Sequence, residues 1–193
     1  ALACIAIQSN QNDQHGGQSI PNFDYGLAPG VAKTYRKHYR DNIVKYCEVI
    51  GASQVDTEFV KAYLEEIKEN TGLVPSLEMQ RGYLAEELAV LTRAIGEEKA
   101  ASAAQRFAAR HASEETDKAT YQAMEALIHN LNTMHSRAGA QTPFSSINYG
   151  TDTSPEGRMV VRNVLLATER GLGQGETAIF PIHIFRVKEG VNY

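Results

Sequence analysis

HSRAGAQTPFSSINYGTDTS, residues 135–154, is the stretch where a helix-period pattern stops and an alternating, extended one begins. Before it, Tyr121, Met124, Leu127/Ile128, Leu131 and Met134/His135 recur every three to four residues, the spacing of an amphipathic helix. Gly139 is expected to end that helix. Residues 142–150 then read as a strand, with Pro143 among its first residues, where a missing ladder donor matters least. After it, Ser154-Pro155-Glu156 has the order of a helix start: serine as cap, proline at the first helical position and an acid behind it. Met159, Val160, Val161, Val164 and Leu165 are the expected buried face of that helix. GLGQGET, residues 171–177, turns the chain back into residues 178–187, a mostly apolar strand. Strand, helix and strand at this spacing predict a βαβ unit, hence a parallel pair and a right-handed crossover. The fold class is α/β.

Upstream, residues 1–13 read as a helix whose apolar start, Leu2, Ile5 and Ile7, gives way to the amide-rich QSNQNDQ. A solvated helix end fits that run, and so does a polar pocket or subunit contact. His15-Gly16-Gly17 breaks the helix and Ile20-Pro21 starts an extended link. From Val31, through Tyr35, Tyr39, Ile43, Cys47 and Ile50, the period predicts a helix that Pro29 and Gly30 introduce and Gly51 ends. Its other face carries Lys33, Arg36, Lys37, Arg40 and Lys45. A solvated face and a phosphate contact both account for such a stripe.

Further along, Asp56 or Thr57 caps a helix over residues 56–70 that Gly72 closes. Leu84, Leu88, Leu91 and Ile95 mark a third, ended by Gly96, and the alanine-rich residues 97–111 read as a fourth. Ser113, followed by acids, is the expected N-cap of a fifth. In that last helix Asn130 and Asn132 stand out, because buried amides need partners.

The chain has 193 residues, 42% hydrophobic and 22% charged, which suits a globular domain and excludes disordered and collagen-like classes. Its net charge of −4 leaves no electrostatic footprint for nucleic acid, so no direct nucleic-acid binding is expected. Cys4 and Cys47 have neither metal-ligand spacing nor the density of a disulfide scaffold; they read as small buried residues in a reduced, cytoplasmic setting. ALACIAI is far too short to span a bilayer, and no membrane segment is expected elsewhere. The chain begins in mid-pattern without Met and reads as a piece of a larger protein. Gly171, Gly173 and Gly175 follow a helix instead of a strand, which excludes a dinucleotide loop. His135 and His183 lack metal-ligand spacing, and no HExxH or CxxC is present.

The remaining candidates are His135, Ser136, Arg137, Gln141, Ser145, Ser146 and Asn148, together with the free amides expected where the helix starts at Ser154. In βαβ architecture the carboxyl end of the strand and the following helix N-terminus form the ligand crevice, and its N–H groups attract phosphate. These residues suit a wall that orients a polar, phosphorylated molecule. They equally suit a capped turn whose polar groups satisfy one another.

Three motifs tip that balance: HGGQSIPNFDYGLAPGVAKTY (15–35), HNLNTMHSRAGAQTPFSSINYGTDTSPEGR (129–158) and GLGQGETAIFPIHIFRVKEGVN (171–192). In this order, over more than a third of the chain, they resemble the anaerobic, class III ribonucleoside-triphosphate reductases of the glycyl-radical superfamily. The resemblance implies a ten-stranded barrel in two parallel halves around a cysteine-bearing finger loop. This chain would supply part of it, mostly helical with a C-terminal βαβ unit, and as a partial barrel it should leave an exposed apolar edge. The implied reaction replaces the ribose 2′-hydroxyl of a nucleoside triphosphate with hydrogen. A glycyl radical outside this chain would start it, installed by a radical activating enzyme that uses S-adenosylmethionine and an iron–sulfur cluster. A zinc site is likewise expected outside this chain, which alone should be inactive.

The resemblance further implies a homodimer that binds a nucleoside triphosphate as effector as well as substrate. Residues 1–50 would carry the dimer and effector helices, residues 52–112 a helical segment, and residues 113–193 a helix plus the βαβ segment. Substrate binding falls to His135, Ser136, Arg137, Gln141, Ser145, Ser146 and Asn148. Counted without gaps from the HGG motif, an effector lysine falls on Lys37. The family's effector glutamine falls on Ile5, a departure: either Gln8, one turn on, substitutes for it or this branch reads effectors differently. The competing reading is a helical nucleotide-sensing or interaction module without catalysis.

Overall fold

The computed structural model describes residues 2–13, 16–135, 141–173 and 175–193. In chain order these form α1 (Leu2–Asp13), β1 (Gln18–Ile20), α2 (Phe23–Val49), α3 (Thr57–Thr71), α4 (Arg81–Ile95), α5 (Glu98–Thr133), β2 (Ser145–Tyr149), α6 (Pro155–Arg170) and β3 (Ile182–Phe185). The chain divides into two units: Ala1–Pro29 with Asp117–Tyr193, and Gly30–Thr116. Helices α2 and α5 contribute residues to both.

The first unit holds a parallel sheet of order β1-β2-β3. Gln18 and Ile20 lie beside Ser145 and Ile147, and Ser146 to Tyr149 run beside Ile182 to Phe185. The β2–α6–β3 segment is thus the parallel βαβ unit that the sequence predicts. Strand β1 is new: an extended link was expected there. Three residues between Gly17 and Pro21 are too few to show a period of two.

Strand β2 alternates, with Ser145, Ile147 and Tyr149 buried. Helix α6 begins as predicted, with the Ser154 hydroxyl accepting from the Gly157 amide at 3.0 Å and Pro155 at the first position. Its buried face differs from the expected one. It consists of Gly157, Val160, Asn163, Val164 and Ala167, while Leu165 is exposed. Asn163 turns inward because its amide donates to Asp117 at 2.8 Å, and a polar residue on the inner face obscures the apolar period. Gly157 is there because Asp152 leaves no room: a Cβ would lie 2.4 Å from the carboxylate carbon.

Ahead of β3, Asn132 of α5 takes both roles of its amide. Its oxygen accepts from Ile179 and Phe180 at 2.8 and 3.0 Å, and its nitrogen donates to the Phe180 carbonyl at 2.6 Å. Ile179, Ile182, Ile184, Phe185 and Val187 remain exposed, an apolar edge of the kind expected.

In the second unit α3 and α4 share one core with residues of α2 and α5. Tyr35, Tyr39, Ile43 and Cys47 meet Val60, Tyr63 and Ile67, with Tyr83 and Leu91 beside them. Ala101, Ala104, Ala108 and Ala112 are fully buried, so the alanine stripe serves close helix approach. Asp56 caps α3 through the Phe59 amide at 2.8 Å, and Gly72 ends it at φ 73°, a left-handed position that glycine adopts without strain.

Two helix boundaries depart from the sequence expectation. Helix α2 starts at Phe23, so Pro29 lies inside it instead of introducing it. As the seventh residue of α2 it lacks the amide that would bond the Tyr25 carbonyl, and the helix continues through it. The expected fourth and fifth helices are one helix of 36 residues. Ser113 lies within it and caps nothing, because no glycine or proline between residues 98 and 133 interrupts a run of strong helix formers. The boundary drawn between residues 112 and 113 therefore falls inside α5.

One polar cluster sits inside this core. Fully buried Glu87 accepts from the hydroxyls of Tyr39, Tyr63 and Tyr83 at 2.6, 2.9 and 2.8 Å, and from the Gln105 amide at 2.9 Å. Burial pushes its carboxyl up, and these donors pull it back without cancelling the rise.

Candidate functional site

The candidate site is built on β2 and the loop that follows it. Asp24, in the first turn of α2 and fully buried, accepts from the amides of Gly150 at 2.8 Å and Asp152 at 3.0 Å. The Tyr25 amide donates to its other oxygen at 3.0 Å. Burial alone would raise this carboxyl, but the amides of Asp152, Gly150 and Tyr25 outweigh it and hold the group below its ordinary value. Asp152 in turn accepts from the Ser154 amide at 2.9 Å. One buried charge thus sets the path from the end of β2 to the start of α6.

That arrangement changes the chemistry expected at α6. The amides of Ser154 and Gly157 are already taken, by Asp152 and by Ser154 itself. The second oxygen of Asp152 is buried and has no hydrogen-bond partner among the described residues. An anion at this helix start would meet a carboxylate, so the start is capped from within and is not an open phosphate cradle.

Alternation along β2 sorts the candidate side chains. Ser145 points into the buried face, where its hydroxyl has no partner among the described residues. Ser146 and Asn148 share the opposite, half-buried face. Across the sheet the Ser19 hydroxyl donates to the Asn148 side-chain oxygen at 3.2 Å, which leaves the Asn148 amide nitrogen as the donor on offer. His135 and Gln141 are exposed. The Gln8 amide donates to the His135 carbonyl at 2.9 Å, so the structure joins two residues expected in different sites. Ser136, Arg137 and Gly139 lie outside the described residues.

Lys37 belongs to the second unit, where it pairs with Asp41 at 3.1 Å. It lines a cleft of about 630 Å³ that also holds Lys61 and Lys68 of α3. Sequence reasoning passed over these two lysines because Glu58 and Glu65 give their helix face a balanced charge. Their spacing of seven, two turns on one face, was the available signal. It also passed over Asp24, whose position as an acid in a helix first turn was hidden by the later helix start expected at Val31.

His183 holds no open position: its ring nitrogens meet the Tyr149 hydroxyl at 3.2 Å and the Thr168 hydroxyl at 3.0 Å. Burial lowers its pKa and favours the neutral ring. Cys4 and Cys47 are buried free thiols. Burial raises both, Cys47 to about 11, so neither is a ready thiolate. Among the described residues no group of three His, Cys, Asp or Glu side chains is placed to hold a metal ion. No helix among them is long and apolar enough to cross a membrane.

Compared with known families, residues 1–193 match the one described as anaerobic ribonucleoside-triphosphate reductase. The chain is similar to the anaerobic ribonucleoside-triphosphate reductases of Salmonella typhimurium and Escherichia coli. Each is 36% identical over 84 residues, which make 43% of this chain and 12% of the relative. The enzyme of that name from Enterobacteria phage T4 is 41% identical over 86 residues, 44% of this chain and 14% of the relative. The aligned stretches therefore span only a small share of the curated relatives.

Proposed function

The chain belongs to the anaerobic ribonucleoside-triphosphate reductase family, and from that membership we propose that it works in an enzyme that replaces the ribose 2′-hydroxyl of a nucleoside triphosphate with hydrogen. Residues 135–154 form one wall of the substrate cavity. Ser146 and Asn148 offer a hydroxyl and an amide on one face of β2, and Ser19 fixes the rotamer of Asn148. In this reading the exposed Gln141 and His135 are further contacts of the wall, and Ser136 and Arg137 are assigned to it from the sequence alone. Ser145 supports the strand from its buried side. The wall positions the nucleotide and breaks no bond itself.

One observation carries this reading. Each of the three motif stretches supplies one strand of a single parallel sheet, and Asp24 of the first motif binds the loop of the second. Such convergence suits motifs that share one site. The sheet is part of a ten-stranded barrel, and the next strand of that barrel covers the exposed apolar residues of β3.

The radical carriers lie elsewhere in the enzyme. Cys4 and Cys47 are buried, protonated thiols and do not fit the cysteine that abstracts a ribose hydrogen. The glycyl radical that generates it, the iron–sulfur activase that uses S-adenosylmethionine, and the zinc site belong to other parts and partners. Helices α1 and α2 serve a homodimer and its nucleoside triphosphate effector, with Lys37 as a phosphate contact. Gln8, bonded to the His135 carbonyl, couples that region to the substrate wall. The test is anaerobic reduction of ribonucleoside triphosphates by the activated full-length protein. Turnover supports the reading, turnover by these 193 residues alone contradicts the placement of the radical carriers, and none by the full-length protein refutes the reductase.

A further inference from the structure

Among the described residues of the substrate wall, Ser146, Asn148 and Gln141 bring no charge, and the start of α6 is capped from within. The register of β3 supplies a cation. Ser146 lies beside Ile182 and Asn148 beside Ile184, and such neighbours in parallel strands point to one face. The Arg186 amide continues the ladder by donating to the Tyr149 carbonyl at 2.8 Å. By the same alternation the Arg186 side chain falls on the face of Asn148, at the carboxyl end of the sheet. Ligands of open parallel sheets bind at that end.

Arg186 is exposed, yet it is held at three points. Besides the bond from its amide, its guanidinium donates to the side-chain oxygen of Asn22, just past the end of β1. Its carbonyl accepts from the Asn192 side-chain amide at 2.9 Å, and that amide also donates to the Gly150 carbonyl. Asn22 sits at φ 54°, a left-handed position that few side chains other than Asn adopt. No acidic side chain pairs with Arg186 among the described residues. The carboxylate of Asp24, which also binds Gly150, is taken by three backbone amides. Ordering a long charged side chain costs rotamer entropy, which one bond to a neutral amide offsets poorly. A guanidinium carries five N–H donors in a fixed plane, so most of them remain for an anion.

We propose that Arg186 contacts the phosphates of the nucleotide on this wall, with the sugar lying toward Ser146 and Asn148. The inference deepens the reading of β2 as a substrate wall and rests on it. Asn22 and Asn192 are positioning residues that aim the guanidinium without touching the nucleotide.

The experiment is steady-state kinetics of the activated full-length enzyme, with tripolyphosphate as inhibitor, on Arg186→Gln, Arg186→Lys and Asn22→Gly. Arg186→Gln keeps a donor for Asn22 and removes the charge. It should raise KM for a ribonucleoside triphosphate about tenfold or more, and weaken competitive inhibition by tripolyphosphate by a similar factor, as loss of a charge-assisted contact implies. Arg186→Lys should recover part of both. Asn22→Gly frees the guanidinium but keeps its charge, so its effects should be smaller. Because Arg186 is exposed, the thermal midpoint should not move. If Arg186→Gln leaves KM and inhibition unchanged while Ser146→Ala/Asn148→Ala raises KM, the inference falls and the wall stands. If neither raises KM, both fall. A raised KM with unaltered inhibition makes Arg186 a structural tie and overturns the inference, as does an Asn22→Gly variant equally impaired. A wild type that tripolyphosphate does not inhibit competitively overturns it too.

Discussion

Asp24 reaches across 126 positions of sequence to accept the Gly150 amide at 2.8 Å. With the Asp152 amide at 3.0 Å, that contact ties the first turn of α2 to the loop leaving β2. The carboxylate is fully buried and, among the described residues, accepts from the backbone amides of Gly150, Asp152 and Tyr25, so removing it leaves the buried Asp152 N–H without its acceptor.

Asp24→Ala should therefore destabilise the protein by about 2–4 kcal/mol, the range for an uncompensated buried hydrogen-bond network. Its folded-state pKa is depressed, so its contribution is fully present above the unfolded value of about pH 4 and is lost as pH falls through the folded one. Urea unfolding of wild type and variant from pH 3 upward checks both: the difference should shrink in acid. A constant difference across that range contradicts the ionised, amide-bound carboxylate.

Glu87 has the opposite sign. Its carboxyl is raised in the folded state, so stability falls as pH climbs from about 4.3 toward the folded value. Glu87→Gln should flatten that slope. Glu87→Ala should cost about 3–5 kcal/mol, because three tyrosine hydroxyls and the Gln105 amide lose their acceptor. Chemical denaturation reads both variants; an alanine variant within 1 kcal/mol of wild type, roughly the net worth of a single hydrogen bond, would dismiss the network.

Cys4 and Cys47 should resist a thiol reagent at pH 8 in the native protein and react promptly once it is unfolded, since both are buried and their thiols are raised. Fast native labelling of either residue would reopen its candidacy for chemistry.

Gln8→Ala removes the amide that holds the His135 carbonyl. If that bond couples the effector region to the substrate wall, the variant of the full-length enzyme should still bind effector but lose much of the effector's influence on substrate choice. A ratio of kcat/KM values for two substrates, with and without effector, measures it. An unaltered ratio contradicts the coupling.

Much of this architecture is legible in local chemistry. Asp56 and Gly72 bracket α3, Gly96 ends α4, and Ser154-Pro155 starts α6, because caps act within one turn of their own residues. Local chemistry also misleads where no neighbour enforces it. Ser113 carries a cap's sequence inside an unbroken α5, and Pro29-Gly30 resembles a helix start within α2. What stayed hidden depends on distant partners: β1 exists because β2 pairs with it, Ser19 finds Asn148, and Asp24 finds Gly150. Alternation exposed the shared face of Ser146 and Asn148, while their use for a nucleotide rests on family likeness.

The substrate wall is tested most directly by steady-state kinetics of the activated full-length enzyme carrying Ser146→Ala/Asn148→Ala. Loss of a hydroxyl and an amide contact should raise KM for ribonucleoside triphosphates about tenfold or more, as two hydrogen bonds of about 1 kcal/mol each imply. Effector affinity should not change. Unchanged KM and kcat in a folded, activated variant would contradict the placement of β2 in the substrate cavity.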